Sequence, residues 1–259
     1  MTSVSALTDH IEQYFEQQSE LYGKDTFLLG IQPGKPATAT ALAPVLEMKE
    51  NSEIDKPKDL SQKALLEQFN AEHKNCMRCG LGKERTQIVL GSGSAFAKVL
   101  FIGEGPGREE DAKGLPFVGD AGQILERMLK RMGFIRKEVY ITNVVKCRPP
   151  GNRNPNDDEI AACALLLQKQ IQIIQPRYLF CLGKVAANAL LRSDETIKAL
   201  RSKVHSYHGA KTFVTYHPAA LLRDQNLFWE VYEDMKLFRQ VYDAEIGDKP
   251  PMVEMNRKN

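Results

Sequence analysis

Between residues 60 and 246 short apolar runs alternate with longer segments whose apolar positions recur every three or four residues. Short runs bounded by turn residues read as buried strands, and the longer periodic segments as helices packed on one face. The pattern predicts strands at 87–90, 99–102, 139–144, 178–182 and 212–215. It predicts helices over 121–132, 157–174, 184–191 and about 227–242. An earlier helix, in LSQKALLEQFNAEHKNC, presents Leu60, Ala64, Leu65 and Phe69 to a core. Strand–helix–strand alternation implies an α/β protein of three layers, α/β/α, with a central and mostly parallel sheet. Ligands bind such sheets at the carboxyl ends of strands, so residues just after each strand carry the first expectation of function.

Upstream the pattern thins. Residues 5–22 read as a polar helix with Leu7, Ile11, Phe15 and Leu21 as sparse apolar positions, and 31–59, rich in Pro, Ala, Thr and charge, reads as a linker. The expected organisation is an extension with linker over 1–59, one domain over 60–246 and a disordered tail over 247–259. No apolar run approaches the roughly 18 residues of a membrane span, and the start lacks the basic and apolar regions of a secretory signal. A cytoplasmic setting with no membrane partner is therefore expected. Five cysteines in such a chain argue for reduced thiols or metal ligands over a disulfide framework.

The formal net charge of +2 is unevenly spread: residues 1–70 hold 6 Lys and Arg against 11 Asp and Glu, and residues 71–242 hold 26 against 18. A basic body behind an acidic extension points toward a polyanionic partner, although an ordinary domain with surplus lysines has the same balance.

Four segments could carry chemistry. In KVLFIGEGPGREEDAKGLPFVGDAG a strand runs into Gly103-Glu104-Gly105-Pro106-Gly107, where glycines let a ligand approach the backbone. It matches neither the phosphate-loop nor the dinucleotide pattern. Glu104 is placed to orient a water or to cap a turn, and Phe117 to stack on a planar ligand or to pack under the loop. In YITNVVKCRPPGNRNP, Asn143 offers an amide donor and acceptor to a base edge or forms a turn satisfied by its own backbone, and Lys146, Arg148 and Arg153 form a basic loop suited to phosphates or an ordinary solvated surface. In FVTYHPAALLR, a strand delivers His217 at its end, where it is either structural or catalytic, with Leu221, Leu222 and Arg223 on a following turn where an apolar wedge could unstack bases. Cys76 and Cys79, separated by two residues, together with Cys147 and Cys163 can converge on one centre, zinc or iron–sulfur, or stand as independent buried thiols, while Cys181 reads as a core thiol.

Taken together these segments resemble the uracil-DNA glycosylase superfamily, and within it the type-4 enzymes with an iron–sulfur cluster. The resemblance spans about residues 71–242 and rests on GEGPGREED, GLPFVG, TNVVKCRPPGNRNP, HPAALLR and the four cysteines in that order. It implies a DNA repair enzyme that flips uracil from DNA and hydrolyses its glycosidic bond. By the same resemblance Glu104 places the attacking water, Gly105 and Phe117 contact the base, Asn143 reads the pyrimidine edge and His217 donates to a uracil oxygen. Cys76, Cys79, Cys147 and Cys163 would ligate a [4Fe–4S] cluster. Gly105 stands where the best-known uracil glycosylases carry aspartate, and CRPPGNRNP has no histidine for covalent trapping. The implied partner is uracil-containing DNA, bound by a nucleoid-associated monomer. The first 59 residues either tether a replication or repair partner or form a variable extension. Two other readings stand beside the enzyme: a non-catalytic iron–sulfur DNA-binding module and an electron-transfer protein.

Overall fold

In a computed structural model, described over residues 61–252 and residue 255, the apolar runs pair into one six-stranded sheet. The strands are β1 (Ser92–Gly93), β2 (Val99–Gly103), β3 (Tyr140–Asn143), β4 (Tyr178–Leu182), β5 (His205–Tyr207) and β6 (Ala210–Thr215), in the order β1-β3-β2-β4-β6-β5. The central pairs β3–β2, β2–β4 and β4–β6 are parallel, and the two edge strands are antiparallel. The parallel four are buried along nearly their whole length, as strands covered on both faces are.

Alternation along the strands sorts the core into two halves. Val99, Phe101, Tyr178, Phe180 and Phe213 face one side, where they meet α4 (Asp120–Arg131) and α9 (Phe228–Glu245). Leu100, Ile102, Leu179, Cys181 and Val214 face the other, against α1 (Gln62–His73), α5 (Asp157–Ile174) and α6 (Lys184–Leu191). Both faces are thus covered, giving the three layers expected. The shorter helices are α2 (Leu81–Glu84), α3 (Arg108–Lys113), α7 (Ile197–Leu200) and α8 (Pro218–Arg223).

Several expectations are corrected. Residues 87–90 form no strand: Val89 donates to Lys146 O at 2.8 Å, but no ladder develops beyond that bond. In α1 the buried side chains are Leu66 and Phe69, with Leu65 packed beside them. The turn after His217 is a helical turn, α8. The tail expected to be disordered from residue 247 is docked through residue 252. Asp248 accepts from Lys98 Nζ and Tyr242 Oη at 2.8 Å each, Lys249 Nζ pairs with Glu138 at 2.9 Å, and Pro250 O accepts from Arg239 at 3.0 Å. The proposed polar helix at 5–22 and the linker lie outside the described residues.

Candidate active site

Three strand tips meet at one place. Gly103 ends β2 and sits in register with Asn143, the last residue of β3. A Cβ on Gly103 would overlap Asn143 Oδ1 and approach Phe117 Cζ to 2.6 Å, so glycine is required for these two side chains to share that spot. His217 follows the end of β6, and its ring centroid lies 5.5 Å from that of Phe117, tilted by 30°. Gly183, just past β4, abuts the His217 Cβ. Phe117, Asn143 and His217 therefore converge around the tips of the parallel strands.

Asn143 is 1% exposed, yet its Oδ1 has no hydrogen-bond partner among the described residues. A buried carbonyl left unmatched costs about 1–3 kcal/mol, a cost that a ligand N–H or an ordered water removes. Phe117 adopts φ 51°, a left-handed backbone that costs an L residue roughly 1–2 kcal/mol. Strain of that kind persists where surrounding contacts over-determine it.

His217 is half-buried and caps α8: its Nδ1 accepts the Ala219 N–H at 3.2 Å. Burial first, then the Arg223 cation, pull its pKa down to about 4 despite the opposing Glu110 carboxylate. The imidazole is neutral at pH 7, and with Nδ1 accepting, its proton is assigned to Nε2. Half-buried Glu104 has a raised pKa from desolvation, moderated by Arg223. Arg223 itself is exposed at the end of α8. A carboxyl group, a neutral imidazole and a cation thus occupy one strand-end region. The tip of β6 is anchored in turn by Thr215 Oγ1 donating to buried Asp234 at 2.7 Å, and Asp234 accepts from Arg201 Nε at 2.8 Å.

The basic loop is only partly as expected. Lys146 does not face solvent: it is 0% exposed, and its ammonium donates to Thr142 Oγ1, Asn143 O and Gln170 Oε1 at 2.6–2.7 Å. The chain after β3 turns inward there, so Lys146 braces the Asn143 backbone instead of gripping phosphate. Arg153 spends its fork on Glu159, at 2.7 and 2.8 Å, at the start of α5. Arg148 bonds Asn152 Oδ1 at 2.7 Å. Leu222 is 50% exposed on α8, whereas Leu221 packs against the core. A Cβ on Gly105 would meet Val145 Cγ2 at 2.8 Å, which keeps the backbone open beside Glu104.

Cys76, Cys79, Cys147 and Cys163 line one cavity with Arg85 and Lys146. Cys147 Sγ accepts from Arg85 Nη1 at 3.2 Å, and Cys163 Sγ from the Lys146 backbone N–H at 3.3 Å. Among the described residues, no three His, Cys, Asp or Glu side chains close on a single-ion position. Cys181 is 0% exposed on β4, remote from this set in role, and burial pushes its thiol up to about 12.

Sequence reasoning missed Gln170, Thr142, Arg136 and Glu110, all of which hold the site from behind. Only Glu110 left a signal, three residues after Gly107, the spacing at which a carboxylate reaches back over a helix start.

The uracil DNA glycosylase superfamily model matches residues 90–236. A type-4 uracil-DNA glycosylase of Archaeoglobus fulgidus is 40% identical over 196 residues, covering 73% of this chain and 96% of its own. One from Pyrobaculum aerophilum is 43% identical over 173 residues, 64% of this chain and 88% of its own. A type-5 uracil-DNA glycosylase of the same organism is 30% identical over 146 residues, half of this chain and 64% of its own. The converging strand tips and the four-cysteine cavity fall within or beside the matched region, and the chain belongs to the uracil-DNA glycosylase superfamily, on the branch of the type-4 enzymes.

Proposed function

We propose that this protein removes uracil from DNA by hydrolysing the C1′–N1 bond, releasing free uracil and leaving an abasic site. The unmatched Oδ1 of Asn143, buried beside the Phe117 ring, carries the reading. It accepts the N3–H of a flat pyrimidine, and the same amide donates to O4. Cytosine presents the opposite pattern at both atoms, leaving buried polar groups mispaired.

A uracil in a duplex must first be extruded, at a few kcal/mol of lost stacking and pairing. Phe117 receives its face, exposed Leu222 fills the vacated space, and Arg223 and Arg148 hold flanking phosphates. As C1′–N1 breaks, the sugar gains oxocarbenium character and the bonding pair leaves with uracil. The neutral His217 donates from Nε2 to the uracil oxygen where that charge gathers, a donor that costs no reorganisation at the moment of reaction. Glu104 orients a water toward C1′; the water oxygen bonds C1′ and its proton passes to the carboxylate.

The four cysteines fit a [4Fe–4S] cluster as a donor set: Cys76, Cys79, Cys147 and Cys163 would be its thiolate ligands, with N–H donors already aimed at two of the sulfurs. Bound there, the cluster supplies a structural cross-link between the segment after α1, the segment after β3 and α5. Incubation of purified protein with uracil-containing DNA is expected to give alkali-labile breaks at uracil and none in matched thymine DNA. A folded, cluster-loaded protein that releases no base overturns the reading.

A further inference from the structure

Phe117 is held in its left-handed conformation from both sides. On one side, the Arg136 guanidinium donates from Nη1 to Phe117 O at 3.1 Å and from Nη2 to Pro116 O. The rotation about Phe117 alone sets how these two carbonyls sit relative to each other. A rigid planar fork that engages both therefore fixes the φ and ψ of that residue. On the other side, Glu110 Oε1 accepts the N–H groups of Val118 and Gly119 at 2.8 and 3.0 Å, while its Oε2 accepts that of Gly107 at 3.1 Å. The peptide between Phe117 and Val118 is thus pinned at both its C=O and its N–H. Arg136 is steadied by Glu126 Oε1 at 3.1 Å and Ser92 Oγ at 3.4 Å, and it opens the 3-10 turn Arg136–Glu138 that leads into β3 and Asn143.

We propose that Arg136 and Glu110 are positioning residues that clamp the loop around Phe117 and so aim its ring at the extruded base. The inference rests on the proposed function, in which Phe117 is the surface the base lies against. Arg136 acts through Phe117, and Glu110 acts through the same loop while its charge also reaches the His217 imidazole. The fork is the essential feature: lysine presents a point charge that cannot hold both carbonyls in register.

The test is a double-mutant cycle in the full chain between Arg136→Met and Phe117→Ala, with Arg136→Lys and Glu110→Gln as further arms. Each protein is assayed for kcat and KM on uracil-containing DNA and for inhibition by free uracil, which reads the platform without DNA. Arg136→Met is expected to lower kcat/KM and free-uracil affinity by about tenfold, with Arg136→Lys restoring little of either. In the Phe117→Ala background the same change is expected to cost less than about twofold, because residues acting as one unit do not lose additively. Additive losses, or a folded Arg136→Met protein with unchanged uracil affinity, overturn the clamp. If Arg136→Met does not fold, the cycle is read with Arg136→Lys and Glu110→Gln on the same terms. A wild-type protein that releases no uracil refutes the proposed function instead, so the two failures are distinct.

Discussion

Glu104 and His217 lie under the same cation, and that shared neighbour makes their ionisation testable. Burial holds the Glu104 pKa above its ordinary 4.5, while His217 stays neutral down to about 4. A carboxylate that must be ionised loses activity as pH falls through its pKa, so the acid limb of kcat/KM belongs to Glu104. Arg223 lowers that pKa, and Arg223→Ala is expected to move the limb to higher pH in a pH–rate profile; a limb that stays or moves down contradicts the assignment. Glu104→Gln should abolish the limb altogether. His217→Ala removes the donor to the departing base and is expected to cost about 2.7–4 kcal/mol of transition-state stabilisation, read as a fall of about 10² to 10³ in kcat. At this scale the sequence was legible where a side chain follows directly from a strand end, as with Asn143 and His217. It was not legible for Lys146, because charge and flanking prolines reveal a basic segment but not which way the chain turns after β3.

Elements with continuous apolar runs or clear helical periods were readable almost to the residue: β4, α5 and α6 have the expected bounds. β5 was invisible because His205–Tyr207 is a half-exposed edge whose pairing with β6, and not its own apolarity, makes it a strand. Residues 87–90 failed the other way: they are apolar and buried at Val89 and Leu90, but they feed side-chain bonds instead of a ladder. Leu90 O accepts from Thr142 Oγ1 and Gln170 Nε2, each at 2.7 Å, and Gln170 Oε1 receives the Lys146 ammonium. This polar knot ties α5 to β3 directly beneath Asn143. Gln170→Leu leaves a buried ammonium short of one acceptor and is expected to lower stability by about 1–3 kcal/mol, measurable as a reduced urea midpoint with an unchanged slope.

Across the whole molecule, all the site residues named fall within the compact unit Pro57–Asn259, which also holds the positive charge excess. Removal of residues 1–58 is therefore expected to leave uracil release unchanged, checked by comparing single-turnover rates of the full and shortened chains. The docked segment from residue 247 through residue 252 bears on where shortening from the other end must stop. Arg239, 2% exposed, is satisfied by Met132 O, Asp243 and Pro250 O, and Lys249 lies 5.1 Å over the Phe134 ring. A chain ended at residue 246, where helical periodicity fades, would strip a carbonyl from a sequestered guanidinium and uncover the aromatic seam between α4 and α9. Residues 247–252 behave as a latch on the domain, and a product trimmed at residue 246 should melt several degrees lower than one that keeps residue 252.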